Sequence, residues 1–400
     1  MIEQSSDWAT EYDIFDPTYV GDPYPIWADI RERCPIAHTD EYGGSWLPTR
    51  YDDVTAIARD VEHFSSVSVS VLPPPPQERG EGGILSAGVP PISADPPLHT
   101  WSRRLLLPWF SPKRVASLEP VTRDLCASLI DGFVGVGHAD AAADYAQQIP
   151  VRIISRVLGV PELMSDTFVG WVRDILEYAN DPDRRAGALA ELAGYFQAEM
   201  QARRGGSGDD LITDLLNSDI DGESVSDPHI LGTVALTLVA GIDTTWSAIG
   251  SSLWHLATHH DDQERLVDQP ELLPTAVEEF LRAYSPVTMA RVLTEDHEMG
   301  GCPMKAGDRV LLSFPAANRD PDQFPRPDDV DISREHNRHV AFGAGIHRCA
   351  GSNLARMELT VAIDEWLRRI PQFRLADDAT VTWAGGQVRG PRSIPVTFPI

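Results

Sequence analysis

Cysteine is scarce in this 400-residue chain: only Cys34, Cys126, Cys302 and Cys349 occur. They lie far apart and show no CxxC or other ligand spacing, which argues against a structural zinc site, and a chain of this size needs no disulfide framework. Positive charge is also scarce. Against 33 Lys and Arg stand 60 Asp and Glu, giving a formal net charge of −27 and a pI near 4.7. Phosphate binding needs a basic footprint, so nucleic acid is excluded as a partner, and adherence to anionic membranes is disfavoured for the same reason. Long apolar runs are missing as well: no segment offers the roughly 20 uninterrupted apolar residues of a membrane span. The opening stretch from Met1 to Asp16 has no basic region followed by an apolar one, so no signal peptide is expected. The expectation is a soluble, cytoplasmic, reduced protein. Its apolar share of 42% is enough for a sizeable core.

No repeat period, polar linker or clean boundary interrupts the chain, so residues 1–400 are expected to form one domain. The compositionally biased stretch runs from Val71 to Pro97 and holds Pro73 to Pro76, Gly80, Gly82, Gly83, Gly88, Pro90, Pro91, Pro96 and Pro97. Such a stretch forms neither a long helix nor a central strand, so it reads as a loop of about 25 residues. Loops of that length are either functional or disordered. Elsewhere helical periodicity dominates. Pro25 to Arg33 reads as a short helix ended by Cys34-Pro35, Ser45 to Pro48 as a strand, and His99 to Arg203 as several punctuated helices. Gly205 to Gly208 reads as a hinge or mobile loop. Past residue 290 come short strands and turns, then a helix from about Ser352 to Arg369. The fold class is mainly α (α+β) with small β-sheets.

The longest periodic run extends from Asp227, read as an N-cap, through Pro228 at the first helical position to about His259. Roughly 32 residues make a rod of about 48 Å, and its apolar part, Ile230 to Ile242, is too rich for a surface helix. In its middle stands Ala240-Gly241-Ile242-Asp243-Thr244-Thr245. A mid-helix glycine costs roughly 1 kcal/mol against alanine, and Asp and β-branched Thr add further penalties. Either this is a packing notch with a solvent-reaching Asp, or it is a groove in which Gly241 admits a planar ligand while Thr244 and Asp243 handle protons.

Glu279 and Arg282 share a face of a helix that begins near Pro274 and ends before Ser285-Pro286. Most such pairs are surface bridges worth about 0–1 kcal/mol. Phe280 and Leu281 between them favour burial, and a buried pair would need a further partner. The sharpest feature is Phe342-Gly343-Ala344-Gly345-Ile346-His347-Arg348-Cys349-Ala350-Gly351. The first two glycines permit a tight loop, and Gly351 lets the next helix start close to whatever Cys349 touches. A thiolate is favoured at a helix N-terminus, which suits a nucleophile or a metal ligand. A cysteine hydrolase would need His347 as base at an unfavourable i, i+2 spacing. An inert cysteine leaves the glycines unexplained. Axial ligation of haem iron accounts for both the ligand type and the glycines.

At these residues the chain resembles the cytochrome P450 family. The decapeptide Phe342–Gly351 looks like the family's haem-ligand loop, with Cys349 at the thiolate position. Ala240 to Thr245 looks like its central helix motif, with Asp243 and Thr244 at the acid–alcohol positions. Glu279 and Arg282 match its ExxR pair, and Arg334 matches the arginine that completes the triad. Asp95 to Arg103 is similar to the segment opening the helix after the long loop. The resemblance implies the P450 fold and a haem b whose propionates face His99, Arg103, Arg291 and His347. It also implies monooxygenation: O₂ binds ferrous haem, two electrons arrive singly, and protons pass through Thr244 and Asp243. Because Asp243-Thr244 is intact, a peroxide-driven peroxygenase is the lesser alternative, and a non-catalytic haem sensor is the other.

The same resemblance places Val67 to Leu72, Leu236, Val239, Ala240, Val287, Thr288, Met289 and the Gln387-Val388 turn around the substrate, implying a small apolar or aromatic molecule. No reductase is expected to be fused, since the chain ends in the family-like strand Ser393 to Val396. The resemblance implies a monomeric enzyme that draws electrons from a ferredoxin-type or flavodoxin-type donor served by an NAD(P)H-dependent reductase. The charge distribution agrees with an acidic donor. Residues His99–Arg114 and His336–Arg356 hold Arg103, Arg104, Lys113, Arg114, Arg338, Arg348 and Arg356 and no acid.

Overall fold

The computed structural model describes residues 7–73 and 88–400. The middle of the long Pro/Gly-rich loop lies outside the described residues. Five helices and eight strands position the site. Helix α1 spans Tyr24–Arg33, α2 Leu98–Leu106, α3 Asp227–Thr258, α4 Leu273–Ala283 and α5 Ser352–Arg369. Strands are β1 (Ile36–Thr39), β2 (Ser45–Pro48), β3 (Phe64–Ser65), β4 (Thr288–Leu293), β5 (His297–Met299), β6 (Cys302–Met304), β7 (Arg309–Ser313) and β8 (Gly390–Ser393).

Helix α3 has the length expected, but its cap differs. Ser226, in extended conformation, precedes the first turn without a side-chain capping bond, and Asp227 is already helical. The Asp227 carboxylate instead pairs with Arg204 at 2.7 Å, where negative charge still complements the helix dipole. An 18-residue window of α3 has a mean hydropathy of 1.3, enough to cross a membrane by length and composition, yet 72% of it is buried inside the protein. Its apolarity is that of a core. Helices Gln148–Leu158, Pro182–Arg203 and α5 pack on it, as does β8. Fully burying each Leu, Ile or Val on its flanks contributes about 1.5–3 kcal/mol.

Beside this helical core stands a five-stranded sheet in the order β1-β2-β7-β4-β3. Strand β7 runs antiparallel to β4, with Val310 opposite Arg291, and parallel to β2 through Val310 and Trp46. Two of the residues expected near the substrate, Val71 and Leu72, are instead buried in the cluster of Tyr12, Trp27 and Leu311 that glues the N-terminal helices to this sheet. Large apolar side chains at the start of the loop find core before they find the cleft.

Candidate active site

The cysteine loop is shaped by glycine at two positions. Gly343 and Gly345 adopt φ of +69° and +68°, a region that side chains rarely tolerate. A Cβ on Gly345 would also stand 2.5 Å from the Ala58 carbonyl oxygen, so the loop presses directly on helix Tyr51–Arg59. The Cys349 N–H closes the loop on the Phe342 oxygen at 2.8 Å, and α5 starts three residues later. Cys349 is exposed as a residue.

Sequence reasoning expected this thiolate to be favoured; the structure corrects that. Burial pushes the Cys349 thiol up, outweighing the Gly351 N–H and the Arg103, Arg348 and Arg356 guanidinium groups that pull the other way. A bound metal cation would deprotonate a coordinating thiol outright. The hydrolase alternative also loses its base. His347 Nε2 bonds Ser66 Oγ at 2.9 Å, and burial, with Arg291, His99 and Arg103 nearby, pushes its pKa down to about 3.

Around the loop converge cationic and N–H groups with too few partners. The His99 ring packs on His347 with centroids 4.3 Å apart, and its buried Nε2 has no partner. Arg291 is buried on β4, bonds the Ala290 oxygen at 2.8 Å, and is pushed down to about 10 by desolvation. Arg103 reaches the Arg348 carbonyl. Asp95 is the acid that acts on both His99 and Arg291. Buried charges demand partners, so this cluster suits an anionic ligand with two carboxylates. The donor set fits a haem: Cys349 for the iron, and His99, Arg103, Arg291 and His347 for the propionates.

Glu279 of α4 is fully buried and saturated. Its two oxygens take Arg282 Nε and Nη2, each at 2.8 Å, Arg334 Nε and Asn337 Nδ2, each at 3.0 Å, and the Asp331 N–H at 2.9 Å. The further partner that a buried pair needs is therefore present. Asn337 and the Asp331 amide were not foreseen, because neither is distinctive in sequence. Arg282 spends its remaining donors on the carbonyls of Asn318, Pro327 and Asp329, fixing the chain that leads into the cysteine loop.

On α3, most side chains are buried, but Leu236, Val239, Ala240 and Thr244 keep solvent access. The i, i+4, i+8 series 236, 240 and 244 is one helical face, so a cleft runs along it. Gly241 is also partly accessible, and a Cβ there would lie 2.8 Å from Ile154 Cγ1, so it is a packing notch against helix Gln148–Leu158 as well. Thr244 Oγ1 donates to the Ala240 oxygen at 2.9 Å. Asp243, one residue back and about 100° round the helix, is buried. Its Oδ1 lies 2.7 Å from Arg392 Nη2, and Arg392 Nε meets Glu177 at 3.2 Å. Burial pushes the Asp243 carboxyl up against the pull of Arg392. The two residues expected to act as adjacent acid and alcohol thus share no hydrogen bond among the described residues. Arg392 was missed because nothing local marks an arginine so far along the chain.

Strand alternation divides the remaining pocket candidates. Met289 and Arg291 share one face of β4 by the two-residue period, with Val287 just before the strand in the same alternation, whereas Thr288 is buried on the other face. Val388 is buried and bridged to Val287, and Gln387 Nε2 touches Met289 Sδ at 3.2 Å. A missed contact closes the cleft. Gly232, one turn before Leu236 on the same face, would place a Cβ 2.7 Å from the Gly88 oxygen. Thr233 Oγ1 bonds the Pro90 oxygen at 3.1 Å. The C-terminal arm of the long loop is thereby seated on α3.

Comparison with known proteins agrees with this geometry. The family described as "Cytochrome P450" matches residues 177–378. Among curated proteins, the mycinamicin IV hydroxylase/epoxidase of Micromonospora griseorubida is 35% identical over 93% of this chain and 94% of its own. The vitamin D(3) 25-hydroxylase of Pseudonocardia autotrophica is 36% identical over 97% of this chain and 96% of its own. Among solved structures, CYP109E1 from Bacillus megaterium in complex with testosterone superposes with a TM-score of 0.88 at 28% identity, covering 96% of this chain and 99% of that one. A haem-thiolate monooxygenase is the class that fold and relatives define. The chain belongs to the cytochrome P450 family.

Proposed function

We propose that this enzyme inserts one O₂-derived oxygen atom into a bulky, largely apolar substrate, by hydroxylation or oxidative dealkylation, with electrons from separate donors. The observation that carries the reading is the under-satisfied group of His99 Nε2 and Arg291 beside the Cys349 loop. Haem, when bound, supplies the oxygen chemistry through its iron. The chain's own residues then have separable tasks. Cys349 holds the iron as thiolate, and His99, Arg103, Arg291 and His347 neutralise the propionates. The face Leu236, Val239, Ala240 together with Val287 and Met289 excludes water and orients the substrate. Thr244 Oγ1 holds a proton at the reaction centre once it leaves the Ala240 carbonyl, and Asp243, tethered by Arg392, resupplies it from the Glu177 side. Relatives whose names carry mycinamicin IV, vitamin D(3) and testosterone support large alicyclic molecules as the substrate class. The enzyme works as a cytoplasmic monomer, one haem domain over residues 1–400, with a ferredoxin-type donor.

The reduced, CO-bound absorption spectrum tests the ligand. A thiolate-type Soret band is expected in the wild type and none in Cys349→Ala; its survival in the variant would sink the assignment. A panel of macrolides, steroids and fatty acids read by spin-state shift tests the substrate class, and a response confined to the fatty acids would reject it.

A further inference from the structure

Two cysteines outside the haem site meet at one backbone oxygen. Cys34 ends α1, its N–H bonded to the Ile30 oxygen, and its thiol donates to the Ile36 carbonyl with a sulphur–oxygen distance of 3.5 Å. Cys302 opens β6, and its thiol donates to the same carbonyl at 3.8 Å. The approach is built into the fold. Gly300 and Gly301, with φ of +58° and +82°, form the turn between β5 and β6, and a Cβ on Gly300 would stand 3.0 Å from Ile36 Cδ1. Ile36 and Met304 belong to one buried cluster, with Met299 and Cys302 packed against it. The hairpin tip therefore rests on β1 at the edge of the sheet. Both thiols are partly accessible, unlike Cys126, which is buried and pushed up to about 12.

We propose that Cys34 and Cys302 are a redox-sensitive pair that closes to a disulfide by exchange with a small-molecule disulfide, locking the β5–β6 hairpin to α1 and β1. The Cys34 thiolate attacks one sulphur of the small disulfide, forming a mixed disulfide and releasing one thiolate. Cys302, deprotonated in turn, attacks the Cys34 sulphur, and the second small thiolate leaves. Two protein thiols are oxidised, one small disulfide is reduced to two thiols, and both protein protons end on the released thiols. Burial and the nearby Cys34 sulphur push the Cys302 thiol up, so Cys302 suits the second, intramolecular step. The loop closed spans more than half the chain, the situation in which a cross-link most restricts the unfolded state.

The test equilibrates the purified holoprotein in buffers of reduced and oxidised glutathione, followed by alkylation, digestion without reductant and mass spectrometry. A peptide joining Cys34 to Cys302 is expected to grow with the proportion of oxidised glutathione. Thermal unfolding should rise by several degrees over the same range, while the CO-bound spectrum stays unchanged. Cys34→Ser and Cys302→Ser should each abolish both the peptide and the thermal shift. Stable glutathione adducts on both cysteines, or free alkylation of both at every ratio, would overturn the proposal. So would a thermal shift that persists in the serine variants.

Discussion

Glu358 on α5 is buried with no ion-pair partner among the described residues, and desolvation pushes its carboxyl up to about 8. A carboxyl raised in the folded state lets the native protein hold a proton that the unfolded chain releases above about 4.5. Its stabilising contribution is therefore complete below about pH 4.5 and is lost as pH rises to about 8. Glu358→Gln, which cannot ionise, is expected to gain roughly 4 kcal/mol over the wild type between pH 5 and pH 9. Urea unfolding at the two pH values measures this, and parallel loss in both proteins would refute it. Glu279 is equally buried but, unlike Glu358, is ringed by five hydrogen bonds. The ExxR spacing was legible because both residues lie on one helical turn. Arg392 as the partner of Asp243 was not, because that contact is made by folding across much of the chain.

At the scale of elements, local pattern told most about α3, α5 and β2, whose ends follow Pro, Gly and apolar periodicity closely. It told least about which face of α3 meets what. Glycine at 241 and glycine at 232 look alike in sequence, yet the first admits Ile154 and the second admits backbone from the loop arm. Periodicity gives a face, and only the neighbouring element gives it a meaning. Gly232→Ala isolates the point. Alanine favours the helix by about 1 kcal/mol, but its Cβ must displace the Gly88–Pro90 arm, and overpacking of this kind costs about 1–3 kcal/mol. The arm should withdraw from the cleft, so binding of 4-phenylimidazole is expected to weaken several-fold while imidazole binds as before. Equal effects on both ligands in a spectral titration would mean that the arm does not wall the cleft.

For the whole molecule, the excess of acid says less than its distribution. Of the seven cations in the two basic segments, Arg114 is taken up by Asp209 at 3.0 Å, Arg356 by Glu278 at 2.6 Å, and Arg103 by the Arg348 carbonyl. Arg104, Lys113, Arg338 and Arg348 are exposed, with no carboxylate partner among the described residues. Arg348 adjoins Cys349, and Arg104 follows Arg103, whose guanidinium reaches the Arg348 carbonyl, so these two charges lie near the cysteine loop. In a chain of strongly negative net charge, such cations would suit the acidic donor proposed above. Charges of this kind act on encounter rate and salt dependence more than on the chemical step. Arg104→Glu combined with Arg348→Glu is therefore expected to raise the apparent Kd for an acidic ferredoxin at least tenfold at low ionic strength. The difference should shrink as salt screens both proteins. The CO-bound spectrum and the affinity for imidazole should not change, since neither depends on the donor. If electron-transfer kinetics keep the wild-type salt dependence, the donor docks on another face.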